Sequence, residues 1–211
     1  MVELTILTLN LFTKLHSHKL GQFRLTSLIR QIAEIIPSKA SVLDVGCGNG
    51  KLAAGIGSLR SDLRFEGIDL VSVPGAAIPI HYYDGHTIPF PDNSWDVCMA
   101  NDVLHHCDNP IAILAEMCRV SKSAILLKDH IADNWADREL LKLMDWFGNV
   151  GYGTPLPYNY FSSDEWRASF SDLGMAPSQY LTELHLYPPQ FLGVLDRKMH
   201  FLTLLEFSKD T

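Results

Sequence analysis

The first half of the chain carries a glycine loop and two acidic residues, spaced as in a site for a nucleoside-containing ligand. The loop is the run Asp44-Val45-Gly46-Cys47-Gly48-Asn49-Gly50, where a short apolar segment gives way to a helical pattern. Glycines at such a junction let the backbone turn tightly and let a ligand approach the main chain. Asp69 follows Gly50 by 19 residues, where a carboxylate can accept hydrogens from both ribose hydroxyls. Asp84 is placed to accept from an adenine amino group.

The spacing of the glycines separates two classes of nucleotide site. The loop reads G-x-G-x-G, whereas the dinucleotide fingerprint G-x-G-x-x-G needs its third glycine at position 51, which is Lys51. A nicotinamide-dependent oxidoreductase is therefore the weaker alternative. A simple turn that holds no ligand is the other.

These residues must be positioned by an α/β sheet, because short apolar runs alternate along the chain with amphipathic ones. The predicted strands are 41–45, 64–69, 78–83, 95–100, 124–128, 179–186 and 200–207, and the predicted helices are 22–36, 51–59, 111–120, 135–147 and one that begins at a capping box of Ser162 and Glu165. The glycine loop and both acids then lie at strand ends, on the carboxyl edge where such sheets bind ligands. We expect the last two strands to form an antiparallel hairpin.

Four motifs resemble those of the class I S-adenosylmethionine-dependent methyltransferases of the small type 11 kind. In chain order they are 42–50, Gly67-Ile68-Asp69, Asp84-Gly85 and 88–97, all within about residues 40–130. The resemblance implies an α/β, doubly wound Rossmann-like methyltransferase fold whose seven-stranded sheet has the order 3-2-1-4-5-7-6, with the last strand antiparallel. It also implies transfer of a methyl group from S-adenosyl-L-methionine to an O or N atom of a small-molecule acceptor.

The resemblance also implies where the cofactor lies. The glycine loop follows its methionine part, the acid of the second strand holds the ribose, and the acid after the third strand meets the adenine amine. The implied cofactor-binding residues are Asp44, Gly46, Cys47, Gly48, Gly50, Asp69, Leu70, Asp84, Gly85 and Asn101. Residues 44–108 contain nine acids and three bases, and this negative excess suits a cofactor with a sulfonium and an ammonium group better than an anionic pyrophosphate.

Candidate catalytic residues follow the fourth and fifth strands. Methyl transfer depends largely on alignment of the acceptor, but a hydroxyl acceptor also benefits from a base, and histidine titrates near neutral pH. His105 and His106 are the first candidates, and the alternative is a histidine that only shapes the loop. Asp129 and His130 are the second pair of candidates. The alternative is that Asp129 only caps or orients the next helix and that His130 is partly exposed. We predict no metal, because adjacent residues on one segment rarely point at one ion.

Two segments are candidates for the acceptor side. Residues 145–161 combine six aromatic residues with three glycines and two prolines, and are predicted to form an aromatic loop insertion that acts as a lid. Its Trp146, Tyr152, Tyr158 and Tyr160 either wall an acceptor pocket or pack the loop onto the core. Residues 1–38 form a basic helical cover with Arg24 and Arg30, which permits an anionic or lipid-linked acceptor, although a solvated helix face also explains these charges.

Composition limits the other classes of function. The 211 residues carry 17 basic and 24 acidic side chains, a net charge of −7 that disfavours broad binding to nucleic acid phosphates. Four cysteines without a C-x-x-C pair, no recognisable leader and no apolar run of membrane-spanning length predict a cytoplasmic protein. A nucleic acid methyltransferase is further disfavoured because the N/D-P-P-Y motif is absent. One methyltransferase domain over 1–211 is expected, and a cofactor-binding module without catalysis is the alternative function.

Overall fold

The computed structural model describes residues 2–71, 74–149, 156–188 and 198–207, with side chains from residue 19 onward except those of 147–149. The helices are α1 (Val2–Ile35), α2 (Lys51–Leu59), α3 (Pro110–Val120), α4 (Trp135–Asn149) and α5 (Ser163–Asp172). The strands are β1 (Ser41–Val45), β2 (Arg64–Asp69), β3 (Ile80–Tyr82), β4 (Trp95–Asn101), β5 (Ser121–His130), β6 (Met175–Leu181) and β7 (His200–Phe207).

The strands form one sheet in the order β3-β2-β1-β4-β5-β7-β6. Strands β1 to β5 pair in parallel, and β7 is antiparallel to both β5 and β6. The expected seven-stranded Rossmann-like topology is therefore confirmed. The parallel register places the ends of β1, β2 and β4 side by side, since Val45 is opposite both Ile68 and Ala100.

Both faces of the sheet are buried, as the continuous apolar runs of its central strands require. Val42 packs with Leu28 and Ile32 of α1 and Ile56 of α2 on one face. The next residue along β1, Leu43, points to the opposite face, where α3 and α5 cover the sheet. The two-residue alternation along a strand thus assigns the helices to two layers.

Local signals explain several element boundaries. Pro37 follows the end of α1. The α5 helix begins with the predicted capping box, in which the side chains of Ser162 and Glu165 each accept a hydrogen bond from the backbone N–H of the other residue. The α1 helix begins at Val2, well before the predicted start at Gln22.

The strand predicted over 179–186 forms the predicted antiparallel pair with β7, but its bounds are wrong. Strand β6 begins at Met175, directly after Gly174, and ends at Leu181. Leu184 and Leu186, whose alternation favoured a strand, are buried against the face covered by α1 without joining the sheet. The β6 strand is an edge strand with six exposed residues, so it lacks the apolar pattern by which a buried strand is recognised.

Candidate functional site

A cavity of about 360 Å³ opens at the carboxyl edge of the sheet, beside the ends of β1, β2 and β4. Five of the predicted cofactor residues line it, namely Gly46, Asp69, Leu70, Asp84 and Gly85. The opposite wall comes from the turn after β4 and the start of α3, and includes Asp102, Val103, His106 and Asn109. The remaining predicted cofactor residues, Asp44, Cys47, Gly48, Gly50 and Asn101, lie outside this wall, within the same loop and strand ends.

The glycine loop adopts a backbone that other residues rarely tolerate. Gly46, Gly48 and Gly50 have φ angles of 68°, 57° and 72°, in the left-handed region. A Cβ atom at Gly46 would lie 2.6 Å from Cγ2 of Val103, whereas one at Gly48 would meet nothing within 4 Å. The loop at Gly46 is therefore both turned and pressed against the opposite wall of the cavity.

This difference predicts unequal costs for two alanine substitutions. We expect Gly48→Ala to lower the free energy of unfolding by about 1–2 kcal/mol, the cost of a left-handed alanine. Gly46→Ala should cost about 2–5 kcal/mol, because its Cβ also meets the stiff, β-branched side chain of Val103. Urea unfolding of both variants measures this, and equal losses would mean that Val103 moves aside without cost.

Asp69 and Asp84 are held by backbone amides in orientations that face the cavity. Asp69 accepts hydrogen bonds from the N–H groups of Gly48 (2.7 Å) and Val71 (3.2 Å). Asp84 accepts through Oδ1 from the N–H groups of His86 and Thr87, and these bonds lower the pKa of the Asp84 carboxyl. Both acids thus present oriented acceptor oxygens to a ligand.

Two buried acceptor groups behind the loop lack donors among the described residues. Asp44 is 2% exposed and its carboxyl group has no hydrogen-bond or ion-pair partner there. Burial, together with the nearby Asp69 carboxylate, raises the pKa of Asp44 to about 8. Oδ1 of Asn101, at the end of the adjacent strand β4, is also buried without a partner. A ligand group that carries N–H donors suits such acceptors, so the residues present fit a cofactor that carries an ammonium group.

Cys47 supports the loop from inside. A Cβ at Gly67 would lie 2.4 Å from Sγ of Cys47, so the thiol packs closely on the backbone of β2. Burial, with the Asp44 and Asp69 carboxylates nearby, raises the pKa of this thiol to about 12. Cys47 is therefore neutral at physiological pH and unsuited to act as a nucleophile.

The two candidate histidines have different surroundings. His106 lines the cavity, whereas His105 is 2% exposed, within a turn of 3₁₀ helix over Leu104–His106. Nδ1 of His105 is 2.6 Å from Oδ1 of Asp129, and the other Asp129 oxygen accepts from the N–H of Leu104. Burial opposes protonation of His105, but the Asp129 and Asp145 carboxylates outweigh it and raise its pKa. Asp129 thus orients the histidine turn.

His130 is buried at 4% exposure, which contradicts the alternative interpretation of it as a partly exposed histidine. Its Nδ1 lies 3.3 Å from Nδ1 of His105 and 3.4 Å from Oδ1 of Asp129. Burial is the main reason that its pKa falls to about 4. The two candidate pairs, predicted separately from the ends of β4 and β5, therefore form one contiguous group.

Asp102 is a central residue of this site that the sequence did not single out. It has a φ of 55°, lines the cavity, and binds Nη2 of Arg24 (2.6 Å) and Nζ of Lys128. Lys128 is fully buried, and burial lowers its pKa to about 8. The only signal in the sequence that could have indicated the Asp102–Lys128 contact was the strand register. A parallel pairing of β4 and β5 sets Asn101, the residue before Asp102, opposite Lys128.

The Arg24 contact changes the interpretation of α1. A solvated face was the alternative explanation for its charges, and Arg30 is indeed exposed. Arg24 instead reaches across to Asp102, and its Nη1 lies 3.4 Å from the hydroxyl of Tyr187. The α1 helix is thus tied to the cavity wall by an ion pair.

The aromatic segment contributes one residue to this cluster. Trp146 is half exposed on α4, whereas Tyr160 is 2% exposed and donates its hydroxyl hydrogen to Asp145. Tyr158 is half-buried against Tyr160. Residues 145–149 belong to α4, and Tyr152 lies outside the described residues.

Side chains able to ligate a metal ion come together here. Within the described part of the chain three such groups occur, and each contains His105 or His130. The ammonium group of Lys128 contacts Asp102 and lies 3.4 Å from Nδ1 of His200, so a positive charge already stands at one group. The absence of a metal stays a prediction.

None of the helices among the described residues combines the length and apolarity that crossing a membrane requires.

Comparison with known proteins relates the chain to methyltransferases. A family model described as a methyltransferase domain matches residues 18–179. The chain is 36% identical over 109 residues to the bifunctional methionine biosynthesis protein MetXA/MetW of Rhodopirellula baltica, covering 45% of this chain and 18% of that protein. It is 27% identical over 174 residues to the 27-O-demethylrifamycin SV methyltransferase of Amycolatopsis mediterranei, covering 72% and 60%. The chain thus spans less than two thirds of the length of these relatives.

Solved structures agree on the fold. An S-adenosylmethionine-dependent methyltransferase of Thermotoga maritima superposes with a TM-score of 0.64 at 14% identity, covering 94% of this chain and 97% of that one. The YcgJ protein of Bacillus subtilis superposes with a TM-score of 0.61 at 18% identity, covering 92% and 100%. Because the family model matches most of the chain, the protein belongs to the methyltransferase domain family and has the class I methyltransferase fold.

Proposed function

We propose that this chain binds S-adenosyl-L-methionine and transfers its methyl group to an oxygen or nitrogen atom of a small-molecule acceptor. The observation that carries the proposal is the set of acceptor groups around one cavity. Asp69 and Asp84 face the cavity, and Asp44 and Asn101 lie buried behind the loop without donors among the described residues. Such a set suits ribose hydroxyls, an adenine amine and an ammonium group.

Each part of the cavity has a role in this proposal. The glycine loop, with Gly46, lies along the methionine part, and Asp44 with Asn101 receives its ammonium group. Asp69 accepts from the ribose, and Leu70, which is 49% exposed beside Gly85, provides apolar contact for the adenine. When bound, the cofactor would supply an electrophilic methyl group on a positively charged sulfur.

The acceptor side of the site supplies a base. Loss of a proton makes a hydroxyl or amine a better nucleophile, and a histidine oriented by a carboxylate is suited to take that proton. His105, oriented by Asp129, has this arrangement, and His106 lies on the cavity wall nearby. We propose that this histidine turn supplies the base, with His106 as the member that meets the ligands on the cavity wall and His105 as the buried member that positions it.

The acceptor class is supported by the relatives and by the local charges. One relative is named 27-O-demethylrifamycin SV methyltransferase and another malonyl-[acyl-carrier protein] O-methyltransferase, whereas a third is named a ubiquinone/menaquinone biosynthesis C-methyltransferase. Because Arg24 is paired with Asp102, it offers little charge to an anionic acceptor. We therefore propose an uncharged acceptor that bears a hydroxyl or amine group. Of the two arginines on α1 that favoured an anionic or lipid-linked acceptor, only the exposed Arg30 still supports one.

Replacement of Asp69 tests the proposed binding of the cofactor. We expect Asp69→Ala to weaken S-adenosylhomocysteine binding by about 1–3 kcal/mol, or roughly 5- to 150-fold, because charged hydrogen-bond acceptors to the ribose are lost. Isothermal titration measures this directly. Asp164→Ala is the matched control, since its carboxylate is 91% exposed and far along the chain in α5. A wild-type protein that binds neither S-adenosylmethionine nor S-adenosylhomocysteine would overturn the proposal.

A further inference from the structure

The histidine turn, Leu104–His106, is a single turn of 3₁₀ helix that contributes His106 to the cavity wall. Two backbone bonds close it, from the N–H of His106 to the carbonyl of Val103 and from the N–H of Cys107 to the carbonyl of Leu104. So short a helix leaves N–H groups at its start and carbonyl groups at its end without partners inside the helix. The direction of His106 therefore depends on the groups that bind these two ends.

The start of the turn is bound from β5. The N–H of Leu104 donates to Oδ2 of Asp129 at 3.0 Å, and Nδ1 of His105 lies 2.6 Å from Oδ1 of the same carboxylate. Asp129 thus serves the turn as an N-cap side chain serves a longer helix. A carboxylate only accepts hydrogen bonds, so Asp129 cannot satisfy the carbonyl groups at the other end.

The end of the turn is bound by Asn159, from the segment that precedes α5. The backbone N–H of Asn159 donates to the carbonyl of His105 at 3.3 Å. Its side-chain Nδ2 donates to the carbonyl of Cys107 at 2.8 Å. One residue therefore binds the carbonyl groups on both sides of His106, which a short side chain with an N–H₂ group is suited to do.

The backbone around Asn159 is held in an unusual shape that makes these contacts. Tyr158 has a φ of 57°, in the left-handed region that residues other than glycine rarely adopt. The N–H of Tyr160 donates to the carbonyl of Tyr158 at 2.9 Å, which makes Asn159 the central residue of a γ-turn. Strained backbone persists where surrounding contacts hold it, and it is concentrated at functional sites.

The same segment is anchored by groups other than the Asn159 amide. Tyr160 is buried, stacks on the ring of His105 at a centroid distance of 5.7 Å, and donates its hydroxyl hydrogen to Asp145. The carbonyl of Phe161 accepts from the N–H of Ala132. Because these contacts keep the segment docked, removal of the Asn159 amide should loosen the turn and leave the segment in place.

We propose that Asn159 is a positioning residue, which fixes the carbonyl end of the histidine turn and thereby holds His106 towards the cavity. This inference rests on the proposed function, in which His106 meets the ligands. It goes further because it gives a residue of the aromatic segment a role in the site. That role is exerted through the histidine turn.

Two variants that remove the side-chain donor test this in the ligand-free protein. Asn159→Ala deletes the amide, and Asn159→Asp keeps its shape but replaces the donor by an acceptor. Three-bond NMR couplings report the χ1 rotamer of His106, with His106→Gln used to assign its signals. We expect one rotamer in the wild type and an average over several in both variants.

A matched control separates positioning from stability. The hydroxyl of Ser163, four residues further along, donates to Asp133 rather than to the turn. Ser163→Ala therefore also loses a side-chain hydrogen bond, and we expect His106 to keep its single rotamer. A purely structural role of Asn159 predicts lower resistance to urea with an unchanged rotamer of His106.

Titration with S-adenosylhomocysteine gives a second measurement. Because His106 lines the cavity, its ring signals should shift when this ligand is added to the wild type. We expect a smaller shift at saturation in Asn159→Ala and Asn159→Asp, in which the ring spends less time facing the ligand. A wild type that binds neither S-adenosylhomocysteine nor S-adenosylmethionine would overturn the proposed function, whereas the rotamer comparison needs no ligand.

The inference itself has its own contrary results. A single His106 rotamer in both variants would overturn it, and so would rotamer averaging in the wild type. An Asn159→Asp variant that behaves as the wild type would show that only the volume of the side chain matters, and would also reject it. If neither variant folds, rapid solvent exchange of the Asn159 side-chain N–H₂ protons in the wild type would overturn it, and slow exchange with one His106 rotamer would support it.

Discussion

Replacing Asp102 by alanine is expected to lower the free energy of unfolding by about 3–5 kcal/mol, the loss typical of breaking a buried ion pair from one side. Lys128 is fully buried and has its Nζ on Asp102, so the substitution leaves an ammonium group without its partner. Arg24 loses its partner too, and with it the link between α1 and the cavity wall. Urea unfolding at pH 7 of the wild type and the variant measures the loss.

A double-mutant cycle separates the ion pair from the backbone. Asp102 has a positive φ, which alanine tolerates less well than aspartate, so part of the loss is strain. Asp102→Ala combined with Lys128→Met keeps that strain but removes the uncompensated charge, and should recover most of the remaining loss. Asp92→Ala is the surface control, because its carboxylate pairs with Arg119 but is 70% exposed. Additive losses in the cycle would contradict a coupled buried pair.

Asp44→Asn is expected to stabilise the ligand-free protein and to weaken cofactor binding. The pKa of Asp44, raised to about 8 by burial, lies above the value of about 4 in the unfolded chain. The free energy of unfolding that this group contributes is therefore fully present below pH about 4 and falls as the pH rises towards 8. Asparagine does not ionise, so the Asp44→Asn variant avoids this loss. We expect its free energy of unfolding to exceed that of the wild type by about 2–4 kcal/mol at pH 7.

The pH dependence is the sharpest check on this prediction. The stability difference between Asp44→Asn and the wild type should be near zero at about pH 4 and grow towards pH 8. S-adenosylhomocysteine should bind the variant at least about tenfold more weakly, because a neutral amide replaces the partner of the ammonium group. Asp164→Asn, on the surface of α5, controls for the change in net charge. An unchanged melting temperature at pH 7 would show that Asp44 is ionised in the free protein.

The elements predicted most accurately are those with strong local signals. The bounds of β1, α2 and β2 match the prediction, because glycines and apolar runs mark them within a few residues. The bounds of the strand predicted over 179–186 were wrong beyond Leu181, because the apolar alternation at Leu184 and Leu186 reflects packing of a connecting segment against α1. Tertiary contacts with α1 hold this connecting segment, since the side chains of Ser27 and Gln31 donate hydrogen bonds to the carbonyl of Leu184.

Within the cofactor half, much of the candidate site follows from the sequence alone. Gly46, Asp69 and Asp84 lie at strand ends, and the carboxyl ends of parallel strands must meet at one edge. Knowing the fold class was therefore enough to bring these residues together. What the sequence could not indicate is that Asp44 is buried without a donor, because burial depends on the whole packed sheet.

The acceptor half depends on the tertiary structure. The residues of its cluster come from α1, the turn after β4, β5, α4 and the start of β7, and the Arg24–Asp102 pair joins positions 78 residues apart. No local pattern links such positions, and the charge of each group depends on its burial and its neighbours rather than on its type. The sequence thus determined the family, the sheet order and the edge of the sheet at which the candidate site lies through short-range motifs, and the tertiary structure alone decided which histidine is enclosed between carboxylates.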